Sequence, residues 1–133
     1  MNAALYPDVV AVLNVYLRSA LASAGQAVPV VSRVPSSRPA KFVQVTRTGG
    51  PEIAPILDGA QVTVDCWAPT PDAAMDLAQL SRRLLHNMRG TVQSGTSVHH
   101  VVEFGGPADL PDPVSGTPRV TFTVQVQMRG HAA

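Results

Sequence analysis

Charge is what this chain has least of. Only 14% of its 133 residues are Asp, Glu, Lys or Arg, where an ordinary soluble domain has about 25%. Ten cations against nine carboxylates leave a net charge of +1, so no bulk field draws the protein to nucleic acid or to an acidic membrane. Lysine is scarcer still. Lys41 is the only one and the other nine cations are Arg, a bias that suits interface ion pairs and that a GC-rich genome also produces.

Cys66 is the single cysteine, which excludes an internal disulfide and makes a reducing cytoplasm suitable. Asn14 and Arg18 interrupt the apolar run near the start, and Met1–Asp8 has no basic stretch, so neither a signal peptide nor a membrane span is expected. There is no G-x-S-x-G elbow and no phosphate loop followed by Lys. The two Gly-Gly-Pro segments, 49–51 and 105–107, read as the ends of strands, not the openings of helices. His99 and His100 are adjacent and would point to opposite faces of a strand, and Cys66 has no partner at ligand spacing, so no metal or cofactor is expected. A Cys66 nucleophile with His86 or His99 is conceivable, but a lone Cys on the apolar face of a strand is usually core, and no catalytic site is expected. Trp67 and Phe42 lack the interleaved basic residues of an RNA-stacking sheet.

The length suits a single domain over residues 1–133. Tyr6-Pro7-Asp8 predicts a helix start with Pro7 in the first turn, and Gly25 its end. Val10, Leu13, Leu17, Leu21 and Ala24 make a stripe at helical spacing. Val9, Val12, Val15 and Tyr16 widen the apolar surface past what one sheet covers, which makes Val12, Val15 and Tyr16 candidate subunit contacts. Val28 to Val34, with Pro29 inside it, reads as a short edge strand or arm.

Phe42 to Thr48 and Gln61 to Trp67 read as strands, with Asp58-Gly59 a turn before the second. The segment between them, Gly49 to Gly59, is long and apolar for a hairpin loop. It folds back over the sheet edge or docks on a partner through Ile53, Ile56 and Leu57. Thr70-Pro71-Asp72 opens a second helix with a stripe of Ala73, Leu77, Leu80, Leu84 and Met88, and Arg82, Arg83, His86 and Arg89 suit the negative end of its dipole. Val98 to Phe104 reads as a strand ended by Gly105-Gly106-Pro107, and Gly106 to Pro118 as a long loop.

The clearest signal comes last. Val120, Phe122, Val124, Val126 and Met128 alternate with Thr121, Thr123, Gln125, Gln127 and Arg129, a period of two from Arg119 to Arg129. The apolar side is expected to be core. The Thr and Gln side is too uncharged for ordinary solvent surface, which makes Thr123 and Gln125 further candidate subunit contacts. The fold expected is α+β, a mainly antiparallel sheet of four or five strands with two helices on one face.

In this order Tyr6-Pro7-Asp8-Val9-Val10 is followed by Gln44 to Gly50, by Val62-Thr63-Val64-Asp65-Cys66-Trp67-Ala68, by Pro71 to Ala78, and by Val120 to Val126. The succession, together with the strand-then-Ala-Pro-Thr-Pro-helix join, resembles the tail terminator proteins of long-tailed bacteriophages. The resemblance implies a small structural subunit of a homo-oligomeric ring, a hexamer, at the tail–neck junction of the virion, assembled in the host cytoplasm. Such a ring caps the tail tube, stops its polymerisation and presents a surface to the head–tail connector or stopper protein. Genomic DNA passes through without specific binding, so the lumen is expected to be neutral or acidic and not lined by Arg47, Arg82, Arg83 and Arg89. Another neck or head-completion protein, or a small ligand-binding regulatory domain, fits the same pattern of elements.

Overall fold

The computed structural model describes residues 4–132. Along the chain it has β1 (Ala4–Leu5), α1 (Val9–Ser23), β2 (Val30–Val31), β3 (Phe42–Gly49), β4 (Glu52–Ala54), β5 (Leu57–Trp67), α2 (Pro71–His86), β6 (Val92–Gln93), β7 (Thr96–Asp109), β8 (Arg119–Arg129) and β9 (His131–Ala132). The main sheet is seven-stranded, in the order β2-β3-β5-β8-β7-β6, with β4 on β5 alongside β3. Strands β1 and β9 form a separate pair. Among the described residues only β2 and β3 run parallel, and every other pairing is antiparallel. The class is α+β as expected, but the sheet is larger and more curled than four or five strands.

Strand β8 has the bounds its alternation predicts and lies in the middle, with β5 along one edge and β7 along the other. Its even-numbered residues Val120 to Met128 are buried, and Thr121, Thr123, Gln125 and Gln127 are half-buried on the reverse side. Both helices lie over the even side. Leu13, Leu17 and Leu21 of α1 and Leu77, Ala78 and Leu85 of α2 join Val43, Val45, Val62, Val64, Phe122, Val124 and Val126 in one core.

Local chemistry sets where each helix begins and ends. Asp8 caps α1 by accepting from the Val10 and Ala11 amides at 3.1 and 3.3 Å, which puts Pro7 ahead of the helix and not in its first turn. At the other end Gly25, at φ 85, lets the Gln26 amide reach the Leu21 carbonyl and the Gly25 amide that of Ala22, the paired closure that a left-handed glycine permits. Thr70 caps α2 through the Ala73 amide at 3.1 Å, with Pro71 and Asp72 in the first turn.

The buried stripe of α2 is Ala74, Leu77, Ala78, Ser81, Leu85 and Met88, rotated from the expected one, with Ala73, Leu80 and Leu84 only half-buried. The reason is α1, which takes up part of that flank: the Tyr16 hydroxyl donates to the Leu84 carbonyl at 2.6 Å. On α1 itself Val12 is core and Ala24 exposed, which removes Val12 from the candidate subunit contacts.

Two breaks expected from glycine and proline do not occur. Asp58-Gly59 is not a turn but part of β5, because Asp58 is buried against Arg47 and pairs across to both β4 and β8. Gly105-Gly106-Pro107 does not end β7 either. The strand continues to Asp109 with register shifts at 98/100, 103/105 and 105/108, bulges that absorb the irregular residues and bend the strand. The β7–β8 loop is therefore Leu110 to Pro118.

At the Trp67 end the helix-free side carries a small second cluster. Phe42 stacks on Trp67 with ring centroids 5.2 Å apart and planes at 12°. Arg38 and Arg119 each lie over the indole, at 5.0 and 5.3 Å from its centroid. Arg38 also reaches Asp112 at 3.7 Å, so the arm between β2 and β3 is joined to the β7–β8 loop. Trp67→Ala is expected to lower the unfolding free energy by about 3–5 kcal/mol and to speed protease cleavage in both the arm and the loop. Arg38→Ala should speed the cleavage with little loss in a urea melt.

Candidate functional site

The end of the sheet opposite Trp67 gathers the tips of two hairpins. In the first, Ala54 pairs with Leu57, so Pro55 and Ile56 form a two-residue turn. Proline suits the first of these positions, and the second requires the positive φ found at Ile56, 65°. A β-branched side chain is strained there, and the conformation is held by the Gly130 amide donating to the Ile56 carbonyl at 2.8 Å. In the second hairpin Gln93 pairs with Thr96 across Ser94 and Gly95, at φ 51° and 75°, the positive pair of a twisted two-residue turn.

Arg47 fixes the base of the first hairpin. Its guanidinium donates to both oxygens of Asp58, at 2.9 and 3.2 Å, and to the carbonyls of Gly49 and Gly50, at 3.1 and 3.2 Å. This two-toothed pairing is the geometry arginine suits best. Only glycine fits at position 50, because a Cβ there would fall 2.1 Å from the Gly59 carbonyl oxygen. The segment read as a long apolar loop is thus a clamped β-hairpin. Of the three candidate contacts on it, Ile53 is 45% exposed and packs over Gly59, while Ile56 and Leu57 are half-buried.

Between the hairpins lies a cleft of about 400 Å³ lined by Ala54, Pro55, Ile56, Leu57, Val98 and Arg129 among others. A second cleft of about 260 Å³ shares Arg129 and Ser97 with it and continues past Thr96 to His131. No acidic residue lines either one.

The helix-free sheet face is the second feature. Thr63 and Thr123 are adjacent at 3.5 Å, and Gln127 donates to Gln125 at 2.8 Å. With Gln44 and Gln61 on the neighbouring strands, these residues make a half-buried polar patch in which Asp65 is the one charge on β5 and β8 between Trp67 and Arg129. Thr123 and Gln125 are thus brought together on one face. Val15, 56% exposed on the outside of α1, and Tyr16, whose hydroxyl is occupied by Leu84, lie on the opposite layer.

The cations of α2 have a partner the sequence did not suggest. Arg82 grips Glu103 of β7 with two nitrogens, the longer contact 2.8 Å, and His86 Nε2 lies 3.9 Å from the same carboxylate. Arg82 holds the Glu103 carboxyl below its ordinary range. Glu103 alternates into the helix side only because of the bulges in β7, which no spacing rule reveals. Cys66 is buried with Ser81 Oγ at 4.0 Å, and burial pushes its thiol up to about 12, far from a thiolate nucleophile at neutral pH. Among the described residues no group of three or more His, Cys, Asp or Glu could hold a metal ion, and no helix is long and apolar enough to cross a membrane.

The chain matches no known protein-family model and no curated protein.

Two predictions concern this end of the molecule and its flank. Ile56→Gly removes the strained side chain and is expected to leave thermal stability unchanged or raised by up to about 1 kcal/mol; Gly50→Ala, facing a backbone clash, is expected to unfold at clearly lower temperature. The Glu103 carboxyl titrates lower when folded than unfolded, so its contribution is present above the ordinary Glu pKa and is lost as pH falls through the lowered value. The melting-temperature gap between wild type and Glu103→Gln should therefore narrow as the pH is lowered below the ordinary Glu range and be widest at neutral pH.

Proposed function

We propose that this protein is a structural ring subunit that terminates a phage-type tail tube, joining tube on one side and head connector on the other, and acts through its surfaces and not as an enzyme. The observation that carries the reading is the placement of exposed apolar side chains. Leu5, Ile53 and Val92 cluster by strand register at the hairpin end, whereas Leu110 and Val114 lie in the β7–β8 loop at the Trp67 end, Val114 being 94% exposed. Each end offers apolar anchors, and the two ends differ in shape and sequence. A cap that stops growth needs this: it must match the tube on one side without recreating the same surface on the other.

The remaining surfaces support the same assignment. Ile53, Ile56 and Leu57 form the end contact with tube or connector, on a hairpin stiff enough to dock with little ordering cost. Val15 and Tyr16 on one layer and Thr123 and Gln125 on the other are the contacts between neighbouring subunits of a six-membered ring. Two of the arginines that would make a lumen sticky to DNA are already neutralised, Arg47 by Asp58 and Arg82 by Glu103, so passing phosphates meet little free positive charge.

The test is to add purified protein to assembling tail-tube subunits and image tube lengths and ends. Tubes of limited length with a ring at one end are expected, and unlimited bare-ended tubes would sink the proposal. Thr123→Glu or Gln125→Glu should abolish ring formation, read by mass measurement, while leaving the monomer's melting temperature within a few degrees. Ile53→Asp should impair capping more than folding, and normal capping by that variant would make the hairpin purely structural.

A further inference from the structure

The two clefts at the hairpin end meet at Ser97 and Arg129, and the charges around the arginine are unevenly satisfied. Arg129 lines both. It is the last residue of β8, its side chain is exposed, and it makes no hydrogen bond or ion pair with any described residue. Arg89, beside Gly90 of the larger cleft, is likewise exposed and unpaired among the described residues, and His99 and His131 add two titratable rings. The carboxylates at this end are all engaged: Glu52 accepts from the Tyr6 hydroxyl, Asp58 from Arg47, and Asp8 from the first amides of α1. Among the described residues no carboxylate lines the trough, so its cations meet no counter-charge in the walls.

Its walls favour a chain segment over a small ion. On one side of Arg129 they are largely apolar, from Ala54, Pro55, Ile56, Leu57 and Val98; on the other they are mixed, with Val92, Thr96 and Gly130, and Ser97 borders both. The wall positions are set before anything binds. The Ile56 carbonyl is held by Gly130, and the Gly90 amide and Val98 carbonyl, together with the Val98 amide and Thr91 carbonyl, tie the far wall at 2.8 and 2.9 Å. A trough that continues past its cation suits a segment running through, with its charge internal and not at a chain end.

We infer that this trough binds an extended segment of a partner protein in which an acidic side chain follows an apolar one. The carboxylate pairs with Arg129, and the apolar side chain fills the lobe between Pro55 and Val98. The inference rests on the hairpin end being a docking end, and it does not depend on ring formation.

The probe is a blocked Gly-Leu-Glu-Leu-Gly peptide titrated into the full-length protein and followed by amide NMR shifts. Shifts are expected at Ile56, Leu57, Val98 and His99. The same peptide with Lys or Gln in place of Glu should bind about tenfold more weakly or worse, and so should the original peptide with Arg129→Gln, a loss of the size expected for one charge-assisted hydrogen bond. A peptide carrying its only carboxylate at a free C-terminus should bind more weakly than the internal Glu. Equal binding of the Lys peptide, no loss with a normally folded Arg129→Gln protein, tighter binding of the C-terminal form, or shifts away from the trough would each overturn the inference. Capping of tubes by an Arg129→Gln protein that no longer binds peptide would overturn the trough's part in docking while leaving the ring intact; peptide binding without capping would do the reverse.

Discussion

In an extended chain successive side chains leave on opposite sides, and β8 carries that alternation without a break between two full-length neighbours. Everything else in the molecule is arranged by it. The apolar side, Val120 to Met128, demands cover, and α1 and α2 supply it in one continuous core. Among the described residues no helix covers the Thr and Gln side, which is polar and nearly free of charge. A shift of one residue in the pairing of β8 would exchange these two sides and place Thr and Gln beneath the helices. The pattern of this strand therefore excludes the alternative packings more strongly than any single contact does.

The flanking strands follow the same logic with local departures, and the departures lie at the surfaces read here as functional. Bulges bend β7 and turn Glu103 toward Arg82, joining the outer part of the sheet to α2. Arg47 and Gly50 hold the β4–β5 hairpin against β5, and Ile56 retains a conformation that its own side chain disfavours. Backbone strain that survives because its surroundings over-determine it is concentrated at binding surfaces and other functional sites. Here it borders the cleft that contains Arg129.

The low charge of the chain also has a structural consequence. With few ionic groups to spread, three pairs of them tie elements together: Arg47 to Asp58, Arg82 to Glu103, and Arg38 to Asp112 and the Trp67 ring. The helix-free face of β5 and β8 is left polar and nearly uncharged, and exposed apolar side chains stand at the two ends as well as at Phe104 of β7 and Val15 of α1. Such a surface is costly for a protein that works alone in water and economical for one that spends its life against neighbours.

Much of the architecture was legible in the residues because it depends on patterns with short memory. The bounds of β8, the cap at Thr70 and the glycine closure at Gly25 each depend on neighbours a few positions away, and sequence alone determined them, whereas the start of α1 reads too early in the sequence, with Pro7 inside it. Sequence alone also determined the division of β8 into a core side and an uncharged side that brings Thr123 and Gln125 together. Where reading failed, a distant partner had changed the outcome. Asp58-Gly59 is turn chemistry until Arg47 and β8 draw it into a strand, Gly105-Gly106-Pro107 is a strand end until β8 keeps it paired, and the stripe of α2 turns because α1 occupies part of its flank. The trough around Arg129 could not be read at all, since its walls come from the β4–β5 hairpin, the turn after α2, the start of β7 and the end of β8, and only the folded sheet brings those segments to one end.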